Sequence, residues 1–486
     1  MKRILKGTSY VILTNLFLAF IGYFTKILIA REFSVEDFGL IFGVISFFEF
    51  FHLIYYLGID NAVIKFVSDF KAKKNTFKEL QSYFSGIVTQ FKITFPLSLV
   101  ILSLSPLIAN YFFKTNKATS LLIIGSLALI LHPLRLIKSY FAGIQKIDKM
   151  SLINALEKII LFVFTLLFIL VLPKKNSINA YMLSYFIFFV ALIIINLIIL
   201  KKNKLVNLYN KKLSKKMLLY GLPLVFSSAL GMLFGKIDVL MLTYFRNLTE
   251  VAWYNVSVPT VKSIYGLIGS FSLVYFPLAN EMLKRDNKKS FKKNFNRLLK
   301  YILIICIPSC LFIILNSKEI INLLFGVKYI DAHSSLIIYA FMILLVPLNK
   351  IFYPILLSLS KTKEVAKNSI IAMIVDMIGN FLLIFKWGIL GVAFSSLLGY
   401  LTLIILNFKV IKKNLRLKFP LLKSITLIIL SGICIGLTNY ILGWLNSSSI
   451  LFVFVLKFIL YFGMFGVIIL ITKQITIKEI VQLIKS

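Results

Sequence analysis

The residues able to do chemistry here are charged side chains set inside long apolar runs. Glu49 stands in VISFFEFFHLIYY (44–56), with His52 on the same helix face, about one turn on. Lys236 and Asp238 interrupt GLPLVFSSALGMLFGKIDVLML (221–242), Lys262 interrupts the next run, and Asp376 stands alone in the run 364–385. Lys92 and Lys350 lie deep in their own runs. Lys26, Arg135, Lys138 and Lys457 lie closer to run ends. A charge at the centre of a membrane helix costs about 2.5–3.5 kcal/mol on insertion scales. Each central charge therefore needs a wet or paired environment, whereas a lysine near an end can snorkel. Lys236 and Asp238, two residues apart, point about 200° away from each other and are not a mutual pair. His52 is either the hydrogen-bond partner of Glu49 or a packed ring. Lys26, Lys92, Lys236, Lys262 and Lys350 outnumber Glu49, Asp238 and Asp376, so a shared cavity would be basic. Such a site suits a polyanion, because a low dielectric strengthens its field and lysine acts as a point charge on phosphate. The three acids are expected to pair with lysines or to hold a coupling cation. No catalytic set or metal-ligand spacing occurs, and Cys306, Cys310 and Cys434 lie in apolar runs as small packing residues.

Elements able to carry these groups must cross a bilayer. The chain has 486 residues, 59% hydrophobic and 15% charged, against about 45–50% and 25% in soluble proteins. That composition excludes a soluble enzyme, a disulfide scaffold and a disordered chain. About 20 apolar residues span the hydrocarbon. Fourteen runs qualify: 8–30, 38–60, 84–111, 118–142, 152–172, 178–200, 217–243, 251–280, 297–316, 334–358, 364–385, 389–410, 421–443 and 450–472. They are too long and too little alternating for strands. The first is not a cleavable signal peptide. The net charge of +37 sits mostly in short loops, which points to topology rather than to nucleic acid. With the N-terminus inside, cytoplasmic segments hold 33 Lys and Arg and outer segments 9. Both termini are therefore expected in the cytoplasm. The clusters Lys201–Lys204 and Lys288–Lys293 are expected against anionic headgroups.

Two pairs of segments repeat at an offset of about 215 residues. Arg31–Gly39 is echoed by Arg246–Tyr254, and Gly143–Lys149 with Ser177–Tyr185 is echoed by Ser358–Glu364 with Gly388–Ser396. Six spans per repeat is an even number, so the two repeats share one orientation. The expected architecture is an all-α membrane protein of about 14 transmembrane helices. Two parallel six-helix lobes would enclose a central cavity, with two extra helices. Residues 1–210 form the first lobe, 211–415 the second, and 416–486 the additional pair. Prolines 223 and 259, beside the charged helices, are either hinges or tolerated kinks, and the glycines 221, 231, 235, 266 and 269 mark close packing.

The segment ILIAREFSVEDFGLIFGVISFF (27–48) resembles the junction of helices 1 and 2 in polysaccharide transporters: a basic residue, a small acidic turn, then an aromatic and glycine. SKTKEVAKNSIIAMIVDMIGNFLLIFKWGILGVAFSSLLGY (360–400) resembles their helices 11 and 12. GLPLVFSSALGMLFGKIDVLML resembles their helix 7, with Asp238 at the acidic position. Trp253-Tyr254 in place of an aromatic–glycine pair, and Lys236 beside Asp238, depart from the pattern. The family is the oligosaccharidyl-lipid flippase branch of the multidrug/oligosaccharidyl-lipid/polysaccharide superfamily. The resemblance implies a flippase, not an enzyme, that moves a polyprenyl-(pyro)phosphate-linked oligosaccharide across the cytoplasmic membrane by alternating access. Its partners would be that lipid, the surrounding membrane lipids, and the glycosyltransferases and polymerase of the same pathway, with no nucleic acid. No cofactor is implied. H+ and Na+ remain open as coupling ions, through Glu49 or Asp376. The competing readings are a multidrug/cation antiporter of the same superfamily, which the basic cavity disfavours, a lipid II flippase, and a membrane-embedded glycosyltransferase. The last would need a large extramembrane loop or clustered catalytic acids with a metal, and the sequence shows neither.

Overall fold

A computed structural model describes residues 2–173, 177–203, 208–233, 235–269, 288–415, 421–443 and 450–472, together with Gln474. Pro277, the loop 281–287, residues 444–449 and the tail beyond 474 lie outside the described residues. So does Lys204, together with the side chains of Lys201, Lys202, Lys288 and Lys289. The described residues are helical or in turns, without strands. Ten helical segments are long and apolar enough to cross a membrane. The four expected spans outside that set fall on α1 (Lys2–Glu32), α2 (Val35–Tyr56), α10 and α11 (Lys211–Leu233 and Lys236–Phe245), and α12 (Leu248–Gly269). Those helices carry Lys26, Glu49, Lys236, Asp238 and Lys262.

Packing divides the chain into two units. The first comprises 1–255 with 384–389. Ser34 caps α2, its hydroxyl accepting from the Asp37 amide at 3.1 Å, and Glu36 and Asp37 complement the helix dipole. The helix ends with Leu57 and Gly58 in left-handed backbone, which turns the chain into α3 (Ile59–Ala72). The span 84–111 resolves into α4 (Thr76–Ser103) and a short α5 (Ser105–Tyr111). The span 118–142 resolves into α6 (Ala118–Leu131), a 3-10 turn at His132–Leu136, and α7 (Ile137–Gly143). Pro133 in that turn lacks the amide a continuous helix needs. α8 (Ile147–Val171) and α9 (Ala180–Asn203) pack on each other. Val63, Val67, Tyr83, Ile137, Phe188 and Met217 share one core cluster of this unit.

α10 and α11 also belong here, packed on α2, α3 and α4. Gly58 meets Gly221 backbone to backbone, so a side chain on either would strike the other helix. Gly39 lies against Leu248 and Ala252 of α12. The turn 384–389 joins this unit because Glu250 accepts the Ile389 amide at 2.7 Å and Arg246 Nε at 2.8 Å.

The second unit comprises 256–383 and 390–486. It contains most of α12 and α13 (Lys288–Leu315), α14 (Ser317–Phe325), α15 (His333–Ala340) and α16 (Met342–Ser358). It also holds most of α17 (Thr362–Trp387) and α18 (Ile389–Leu415), and α19 (Leu421–Gly443) and α20 (Ile450–Ile471). α13 packs on α16 and α19, and α19 on α20. Tyr461 of α20 is fully buried, pairs with Ser431, and donates to the Pro308 carbonyl at 3.0 Å. α17 and α18 approach through small residues: a carbon added to Gly379 would lie 2.8 Å from Ser395 Oγ, and one on Gly399 3.0 Å from Asp376 Cβ. A ladder of carboxamides ties three helices: Asn368 donates to Asn407, and Asn407 to Asn349, both at 2.9 Å.

Candidate functional site

In the first unit, the expected span 217–243 is broken. α10 stops at Leu233, Gly235 takes a left-handed φ of 78°, and α11 restarts at Lys236. Tyr254 Oη donates to the Gly235 carbonyl at 3.2 Å and reaches Asp238 Oδ2 at 3.4 Å, which fastens the break to α12. A discontinuous membrane helix beside charged groups is a recurrent way to build a transport site. Asp238 is buried, whereas Lys236 forms an ion pair with Glu49 of α2. The two neighbours on α11 thus face different surroundings, as their angular separation requires. Side chains of the Lys236–Glu49 pair remain 38% and 48% exposed.

Lys26 of α1 donates to Asn255 Oδ1 at 3.0 Å and lies 4.0 Å from the centroid of the Phe42 ring. Its ammonium is therefore held among α1, α2 and α12. His52 is the packed ring rather than a hydrogen-bond partner of Glu49. It stacks on Tyr56 at 5.0 Å and meets Tyr55 and His132 edge-on. Lys92, exposed on α4, donates to Tyr209 Oη at 3.0 Å and so belongs to the connection before α10. That hydrogen bond holds the Tyr209 phenol below its ordinary range. Lys92 is not brought against the groups around Glu49.

Sequence reasoning missed Glu157. It lies ten residues past the start of α8, nearly sealed from solvent. It receives Arg135 at 2.8 and 3.0 Å and Lys138 at 2.5 Å. Placing the span start at 152 put this carboxylate at an apparent membrane edge. The real helix begins at Ile147. Arg135 and Lys138, near a run end in the sequence, are the counterions of this buried acid.

In the second unit, Lys262 of α12 and Lys350 of α16 come within range of each other's charge, and Tyr265 lies beside Lys350 with its ring centroid 5.9 Å from the ammonium. Asp376 of α17 is buried against Gly399 of α18. Lys457 of α20 is bound to Glu319 of α14 at 3.0 and 3.1 Å, a tie between helices. Among the described residues no three His, Cys, Asp or Glu side chains come together as metal ligands. The eight expected site residues thus divide between the units: Lys26, Glu49, Lys92, Lys236 and Asp238 in the first, Lys262, Lys350 and Asp376 in the second.

An all-helical, multi-pass membrane protein with intramembrane charges and an interrupted helix belongs with the transporters. The family model described as "Polysaccharide biosynthesis protein" matches residues 4–283, and that described as MatE matches 223–382. The chain belongs to the polysaccharide biosynthesis protein family, in the flippase branch of the MOP superfamily. It is 29% identical over 508 aligned residues to an uncharacterised membrane protein of Methanocaldococcus jannaschii, covering 100% of this chain and 98% of the relative. It is 25% identical over 295 residues to the capsular polysaccharide biosynthesis protein CapF of Staphylococcus aureus, covering 59% and 72%. Its fold is similar to a solved structure of the lipid II flippase MurJ in an inward closed conformation. The TM-score is 0.75 at 16% identity, covering 95% of this chain and 98% of that one.

Proposed function

We propose that the protein is a flippase for a polyprenyl-(pyro)phosphate-linked oligosaccharide. It would carry that lipid from the cytoplasmic to the outer face of the plasma membrane for surface glycan assembly. In this reading both termini are cytoplasmic, and the partners are the lipid-linked glycan and the enzymes that make and polymerise it. The observation that carries it is the lysine set within the spans. Lys236 is held by an accessible counterion, and Lys262 and Lys350 come within range of each other's charge. Lysines so placed favour an anionic headgroup over an organic cation, which disfavours drug export. The similarity to CapF, a capsular polysaccharide biosynthesis protein, supports a saccharide cargo, and the fold shared with a lipid II flippase keeps lipid II as the second reading of that cargo.

The lobes would rock about an axis normal to the membrane, giving alternating access. Support comes from the repeat. Gly39, fifth in α2, lies against Ala252, fifth in α12, so equivalent positions of the two repeats meet. Glu49 or Asp376 would take the coupling ion, H+ or Na+. The test is translocation of a fluorescent lipid-diphosphate saccharide in proteoliposomes. Lys236→Ala and Lys262→Ala should each lower the rate at least tenfold, with folded protein unchanged. Unchanged rates in both would remove the lysines from the mechanism.

A further inference from the structure

Two kinds of intramembrane ion pair occur in the first unit. The Glu157 carboxylate is 6% exposed and grips two cations, as a structural pair does. The Lys236–Glu49 pair joins α2 to α11 with both side chains more than a third exposed. A third party can therefore reach the second pair and not the first. Glu49 is the fifteenth residue of α2, about 21 Å along it, too deep for its short side chain to reach a headgroup layer. The break at Gly235 starts α11 at Lys236, and Asp238 turns into the protein with Tyr254, so no acid on α11 itself neutralises this ammonium.

We propose that Glu49 is a built-in competitor for Lys236 that sets headgroup specificity. It withholds the ammonium from singly charged phosphodiester lipids and yields it to a lipid diphosphate. This rests on the reading of Lys236 as a headgroup ligand. A basic site open within a membrane is surrounded by anionic phospholipids, which a bare ammonium would bind. A carboxylate already in place carries the same single charge as a phosphodiester and is covalently tethered, so the lipid gains nothing by exchange. A diphosphate carries more charge and more acceptor oxygens, and displaces it. An accessible pair of this kind is worth at most about 1 kcal/mol. The barrier therefore excludes weak competitors without excluding the cargo.

The experiment uses the full chain in phosphatidylcholine nanodiscs, titrated with farnesyl diphosphate and with dioctanoyl phosphatidylglycerol. Glu49→Gln should bind phosphatidylglycerol about two- to fivefold more tightly, with a smaller gain for the diphosphate, so the preference for diphosphate falls. Glu49→Asp, whose carboxylate is set back by one methylene, should fall between and guards against a folding defect in the first variant. Lys236→Ala should lose affinity for both ligands. An unchanged preference in Glu49→Gln, or equal weakening of both ligands, would overturn the competitor role while leaving Lys236 as a ligand. Wild-type affinity for the diphosphate in Lys236→Ala would instead overturn the headgroup reading itself, and this inference with it.

Discussion

Glu157 shows how a carboxylate persists inside an apolar helix: Arg135 reaches it from the 3-10 turn that Pro133 opens, and Lys138 from the start of α7. Breaking a buried ion pair by removing one partner costs about 3–5 kcal/mol, because the other charge stays behind unmatched. Glu157→Gln should therefore lower the thermal unfolding midpoint by several degrees in detergent and reduce folded yield; an unchanged midpoint would mean the triad is not structural. The same charges were visible in the sequence, but their partners were not. Arg135 and Lys138 stand 22 and 19 residues from Glu157, and no local periodicity joins them. Charges on one helix were easier: the divergence of Lys236 and Asp238 follows from helix geometry alone. The pairing of Lys236 with Glu49 spans 187 residues of sequence and needed the fold.

Helix boundaries follow glycine and proline more than hydropathy. The run 221–242 reads as one membrane span, yet the helix breaks at Gly235, where a left-handed φ is available without a Cβ clash. Gly221 and Gly58 let α10 and the end of α2 touch through backbone. Gly221→Val should wedge this crossing apart at a cost of about 1–3 kcal/mol. Gly266→Ala, where an added carbon meets nothing within 4 Å, should leave the unfolding midpoint in place. Equal behaviour of the two variants would refute the crossing. Composition marked both glycines for close packing. Only contact with another helix separates Gly221, which is packed, from Gly266, which is not. Asn349, Asn368 and Asn407 were likewise silent in sequence, because a carboxamide ladder across three helices leaves no local pattern.

At the scale of the molecule, length, apolar runs and loop charge made an all-helical membrane protein legible from the start, because lipid permits few alternatives. The division by repeat, at 210, and the division by packing, at 255, differ because α10 and α11 pack on the helices of the first unit. The repeat also sets unlike charges at like positions: Glu49 and Lys262 are each the fifteenth residue of α2 and α12. The most direct test is a structure of the full chain with a lipid-diphosphate saccharide bound. The account predicts phosphate oxygens within about 3 Å of the Lys236 ammonium group, in place of the Glu49 carboxylate. A cargo bound elsewhere, with the Lys236–Glu49 pair intact, would contradict it.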